Sequence, residues 1–160
     1  MSPSTRRRIP LVIIVVLLGV IAAMAYKFIV VGSVAKGDDG RVAVVLEPGE
    51  RAFVLREMRA FVAGVQRISA VLARDDPKAA AAAARQMGMG AAHDAPPAIL
   101  AKLPLGFKTM AFAVHRGFDA MALDAESLGD TKHTLSQLAD TLGKCVECHN
   151  AYEFRTPPSR

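Results

Sequence analysis

Residues 9 to 26 read IPLVIIVVLLGVIAAMAY, eighteen positions without a charge or a polar face, and after Lys27 the apolar character resumes with FIVVG. A soluble helix buries one face and wets the other, so a run that is apolar all round must lie in a core or a membrane. At 1.5 Å per residue, Ile9 to Val31 reaches roughly 35 Å, enough to cross a hydrocarbon layer of about 30 Å. Arg6, Arg7 and Arg8 precede it and are expected to stay cytoplasmic, which sends the rest of the chain outward. A cleaved signal peptide is the rival, because Ala23-Met24-Ala25 has the small-x-small form of a cleavage site. The run exceeds the usual apolar region of a signal, about 7–15 residues, and this favours an uncleaved anchor. The expected division is a basic cytoplasmic stub (1–8), a transmembrane segment (9–31), a linker (32–49) and a folded domain (50–160).

The charge follows the same division. Residues 1–36 hold five bases and no acid, whereas residues 37–160 hold fifteen of each, so the formal charge of +5 belongs to the membrane end. The domain has no basic excess to offer a nucleic acid. It is rich in Ala, Leu, Val and Met and lacks Trp, a composition that favours helices over sheets.

Four helices are predicted. The first starts near Pro48–Glu50 and runs to about Arg74, with a seam of Val54, Met58, Phe61, Val65, Ile68 and Leu72. Asp76 as cap and Pro77 in the first turn open a second, alanine-rich helix that Gly88 and Gly90 close. The stretch to Pro104 reads as a loop. A third helix spans about Leu105 to Leu128, and a fourth starts near Thr131, carries Leu135, Leu138, Leu142, Cys145 and His149 on one seam, and stops at Pro157-Pro158. Helices of this length with short connections predict an antiparallel four-helix bundle, an all-α domain. GDDGR (37–41) reads as a flexible exit from the membrane. Val42–Leu46 reads as a short extended piece lying against the domain, without a visible partner strand.

Both cysteines of the chain fall in KCVECHN, as Cys145 and Cys148, with His149 adjacent. A reactive dithiol normally opens a helix after a strand, where the helix N-terminus lowers the thiol pKa; here the pair lies in the last turns of a helix. Structural zinc needs four ligands, and no second pair is in sight. C-x-x-C-H is the attachment signature of haem c: the sulfurs take the vinyl groups, and the histidine reaches the iron from the same side. Export to a compartment where such assembly occurs agrees with the apolar N-terminus. His115, beside the third seam, is expected to be hydrogen-bonded within the bundle. His93 and His133 receive no role. No pair of acids, nucleophile with its base, or phosphate loop marks an enzyme.

A single C-x-x-C-H near the C-terminus, on the fourth helix of a bundle, with Tyr152 three residues after the histidine, resembles the class II c-type cytochromes. These are cytochrome c-prime and its low-spin, methionine-ligated relatives. The likeness covers residues 50 to about 155. It implies one covalent haem c held by Cys145, Cys148 and His149. It also implies a distal residue on the first helix, which alignment puts at Met58, or one turn away at Leu55 or Val62. Low-spin relatives carry methionine there, making Met58 the implied sixth ligand, with Met110 and Met121 as lesser candidates. Relatives usually have a base just after the aromatic; this chain has Glu153, with Arg155 the nearest base. Among Arg51, Arg56 and Arg59, Arg59 adjoins Met58 and is the expected partner of a haem propionate.

The implied function is a membrane-anchored, periplasmic one-electron carrier in a bacterial inner membrane, not an enzyme, that serves a redox partner protein at the membrane. Two rivals stay open. One is a five-coordinate haem protein binding nitric oxide or carbon monoxide; the other is an accessory haem subunit of a respiratory complex. Relatives often pair through the first two helices, so a homodimer is a further expectation.

Overall fold

The computed structural model describes residues 3–158; the side chains of residues 3–9, Arg6 to Arg8 among them, and residues 1, 2, 159 and 160 lie outside that description. The chain is mostly helical. An apolar helix α1 (Pro3–Ala25), whose last turns Tyr26–Val31 widen to π geometry, precedes six others. These are α2 (Pro48–Leu72), α3 (Pro77–Arg85), α4 (Met89–Ala92), α5 (Pro97–Lys102), α6 (Leu105–Leu128) and α7 (Thr131–Ala151). Pro10–Val31 has a mean hydropathy of 2.6 and no residue buried against the rest, so it is long and apolar enough to cross a membrane.

Local chemistry accounts for the helix starts. Pro48 opens α2, and the Glu50 carboxylate turns back to accept the Glu47 N–H at 2.8 Å. Asp76 accepts the Ala79 N–H at 2.9 Å to cap α3. Asp130 accepts the N–H groups of both Lys132 and His133 at the head of α7, which holds its carboxyl below the usual range. Between α6 and α7 the chain turns through Gly129 at φ +64°, a left-handed conformation that costs glycine least.

The main core joins α2, α3, α6 and α7. Ile68 and Leu72 of α2, Ala80 and Ala84 of α3, Phe118 and Met121 of α6, and Leu138 of α7 pack together. The alanines of α3 let its backbone come close to its neighbours. Gly88 serves the same end, since a Cβ there would collide with the Asp119 carboxylate, which accepts the Met89 N–H at 2.9 Å. His115 Nδ1–H donates to Met87 O at 2.8 Å and Gly88 O at 3.1 Å, which requires the proton on that nitrogen.

Three expectations need correction. First, Val42–Val45 does found a sheet: β2 (Val42–Val45) pairs antiparallel with β1 (Val34–Lys36) and parallel with β3 (Tyr152–Arg155). Residues 32–49 are therefore built into the domain and do not act as a loose linker. Second, α7 ends at Ala151, and the segment before Pro157-Pro158 is β3. The partners are more than a hundred residues apart, which no local pattern reveals. Third, the buried face of α7 is turned from the leucine seam. Thr134, Leu138 and Thr141 are buried, while Leu135, Leu142 and His149 are exposed. Small threonines fit the close α6–α7 contact: Thr141 Oγ1 lies where a Cβ on Gly117 would come within 2.8 Å, and Thr134 satisfies its hydroxyl on Asp130 O at 2.8 Å. The loop before α6 also contains two short helices, α4 and α5.

Phe118 is fully buried at the centre of the helical core and stacks on Phe61 with centroids 5.8 Å apart. Phe118→Ala is expected to lower unfolding free energy by about 3–5 kcal/mol, read from denaturant melts of the folded domain. A change within the error of the melt would show that the core lies elsewhere.

Candidate functional site

The C-x-x-C-H motif occupies the last turns of α7. Met58, Phe61 and Val65 of α2, predicted as seam residues, are half-buried here. Facing them on α7 are Leu142, Cys145, Cys148 and His149, and between the two sets lies an apolar cavity of about 260 Å³. Two of its lining aliphatic side chains are uncovered: Val62 is 71% exposed and Leu142 37%. Exposed aliphatic groups beside an apolar slot mark it as a candidate binding surface.

A second cavity of about 320 Å³ opens on the other side of the motif and shares Met58, Cys148 and His149 with the first. Its walls are different in kind. Arg41, Arg51 and Glu153 make it polar, and Phe107, Tyr152 and Phe154 supply an aromatic floor. Phe107 meets the edges of Tyr152 and Phe154 at centroid distances of 5.3 and 5.4 Å. The Tyr152 hydroxyl sits against Gly106, where a Cβ would come within 2.5 Å of it. Together the cavities match the size of small-molecule sites, about 300–1,000 Å³, and combine an apolar slot with a charged rim.

Arg41 ties this rim together. Its Nη1 donates to the carbonyls of His149 (3.2 Å) and Tyr152 (3.4 Å), and its Nη2 to the Glu153 carboxylate (3.1 Å). The guanidinium thus caps the end of α7 directly behind His149, where the helix leaves its last carbonyls unpaired. Arg155 Nε stands 2.5 Å from the other Glu153 oxygen. Arg51 lines the polar cavity and donates through Nε to Phe154 O at 3.2 Å.

The structure brings Cys145, Cys148, His149 and Met58 to one cavity. It does not bring Arg59 there: that side chain is exposed and lines neither cavity. Arg56 leans over the Phe53 ring at 4.8 Å, near Glu57. Met121 is sealed in the helical core, and Met110 lines neither cavity. Arg41 gave no local signal, because it lies in a Gly-Asp-Asp-Gly stretch and reaches its partners only once β2 and β3 pair.

The cysteines are free thiols, half-buried, and burial pushes both above the ordinary thiol range; for Cys148 the neighbouring Cys145 adds to the effect. A raised thiol pKa opposes the reactive dithiol. Among the described residues, no group of three or more His, Cys, Asp and Glu side chains converges. Compared with family models, curated proteins and solved structures, the chain matches none.

The thiol environment has a direct readout. With both thiols free, iodoacetamide at pH 8 should modify Cys145 and Cys148 more slowly than a small free thiol, and unfolding should abolish the difference. Because burial raises both pKa values, the rate should keep rising with pH beyond 9. Fast labelling at neutral pH would contradict the buried geometry.

Proposed function

We propose that the chain is a membrane-anchored monohaem c-type cytochrome, built as a four-helix bundle of α2, α3, α6 and α7, that passes single electrons on the periplasmic side of a bacterial inner membrane. The observation that carries this reading is the shared cavity: the two thiols and the imidazole of a C-x-x-C-H line one wall of an apolar slot, and a thioether lines the other. Those donors fit haem c. Cys145 and Cys148 would hold it through thioether bonds, and His149 and Met58 would supply nitrogen and sulfur donors to its iron. When bound, the group supplies a one-electron change at its iron. The apolar slot would cover the macrocycle and exclude water, and Phe61, Val65 and Leu142 would supply that packing.

The polar cavity beside the slot suits the carboxylate edge of a haem. Arg51 and Arg41 line it, so they replace Arg59 as the side chains proposed to face propionates. Glu153, the departure from the resembling cytochromes, pairs with Arg41 and Arg155, which also pair with Asp39 and Asp38, and the Arg41 guanidinium still reaches the carbonyl of His149. Arginines at the N-terminal end of the apolar helix support the outward orientation of the domain.

Protein made in a host competent for haem c assembly should keep its colour through denaturing electrophoresis and weigh one haem more than the bare chain. A colourless product with two free thiols would end the reading. Met58→Leu keeps most of the volume and removes the sulfur. It should convert low-spin ferric haem to high-spin, open the iron to carbon monoxide and lower the potential. A low-spin spectrum unchanged by this substitution would assign the sixth ligand elsewhere. A high-spin spectrum before any substitution would favour the nitric oxide- or carbon monoxide-binding alternative.

A further inference from the structure

The apolar helix is fastened to the domain. Lys108 of α6 donates through Nζ to the Phe28 and Ile29 carbonyls at 3.0 and 3.2 Å, in the widened turns at the helix end. Lys27 Nζ closes on Gly32 O at 2.8 Å, and the Gly32 N–H returns to Lys27 O at 2.9 Å. Gly32 itself sits at φ +69° against α5, where a Cβ would lie 2.7 Å from Pro104 N and 2.8 Å from Leu103 C. One residue on, the Ser33 N–H donates to Lys102 O at 2.7 Å and Ser33 O accepts from Val45 N at 2.8 Å. A tether free to swing has none of these bonds.

The sheet then gives the direction. β1 leads away from the anchor and β2 returns, so Val45 is level with Ser33. β3 runs parallel to β2, with Tyr152 beside Val42 and Arg155 beside Val45. α6 starts beside the anchor, where Lys108 meets Phe28, and α7 packs antiparallel on it, with Tyr152 against Phe107, Thr141 against Gly117 and Gln137 against Asp124, so α7 runs toward the anchor. From the level of Arg155, three strand residues rise about 10 Å to Tyr152, and three helical residues about 4.5 Å more to His149.

We propose that α1 is a stiff stalk holding the Cys145–His149 site at the membrane-proximal end of the domain, roughly 15 Å above the level where the chain leaves its apolar segment, in reach of an integral-membrane redox protein. The choice of a redox partner rests on the proposed function; the placement rests on the fold alone. A loosely tethered domain would suit a soluble carrier in the periplasm. A fixed height and orientation suit a partner that presents its electron-donating or electron-accepting group at the bilayer surface, because ordering the encounter in advance removes part of its entropic cost.

The test uses the full-length chain in nanodiscs with spin labels on unnatural side chains, which leaves Cys145 and Cys148 untouched. Labels at Val15 and Leu135, both exposed, should give one narrow distance distribution. Six Gly/Ser residues inserted between Gly32 and Ser33 should broaden it, since such an insert has an r.m.s. span of roughly 13 Å. Lys108→Met should broaden it in the same sense. A distribution already broad in the unmodified protein overturns the stalk. A label at Thr156 should lie closer to the bilayer surface than one at Leu135, judged by relaxation from oxygen and from a water-soluble nickel chelate. The reverse order overturns the placement. Haem content is read separately by pyridine haemochrome: a colourless protein with a narrow distribution keeps the stalk and overturns the redox partner.

Discussion

The parallel pairing of β2 with β3 is the constraint on which the rest depends. It joins the segment leaving the apolar helix to the segment leaving α7, from Val42–Tyr152 to Val45–Arg155. Without it the end of α7 would have no fixed direction, and the wall formed by Tyr152, Glu153 and Phe154 would not exist. The pairing also brings Arg41 to the carbonyls of His149 and Tyr152. A guanidinium placed there satisfies helix-end acceptors and sets its positive charge against the negative end of the helix. One short ladder thus orients the motif, closes one side of the polar cavity and connects both to the segment that follows the apolar helix.

The helical core has a different task. Its alanines and glycines bring α3 close to α2 and α6, and the two threonines of α7 allow the same close packing against α6. This leaves α7's larger aliphatic side chains, Leu142 and Val146, turned outward beside the motif. In a protein closed on itself that arrangement would waste apolar burial. It makes sense where something else completes the slot, and the proposed haem is the cover that the neighbouring thiols, imidazole and thioether best fit.

The apolar helix and the cavity are also linked by charge. Lys108 and Lys102 are adjacent to the end of the apolar helix, and Lys102 pairs with Glu50 at 2.6 Å, which holds that carboxyl below its ordinary range. Glu50 in turn caps α2, the helix that carries Met58. The same pair therefore links the start of α2 to the end of α5, whose Lys102 carbonyl accepts the Ser33 N–H.

Much of this was legible in the chain itself. Eighteen uncharged apolar residues dictate a segment that a domain of this size cannot bury usefully, and the Asp76 cap with Pro77 in the first turn dictates where a helix begins, because those preferences act within a turn. The spacing of Cys145, Cys148 and His149 is likewise a local fact, and so is the placing of Met58 on a helical seam. Only the tertiary structure decided that YEFR is a strand and not the tail of a helix. It also decided that Thr134 and Thr141 join Leu138 on the buried face in place of Leu135 and Leu142, and that Arg41 and Arg51 reach the cavity while Arg59 points to solvent. Strand pairing across more than a hundred residues, the rotation of a helix about its axis and the reach of a long cationic side chain all depend on partners distant in sequence, and their energies exist only once those partners meet.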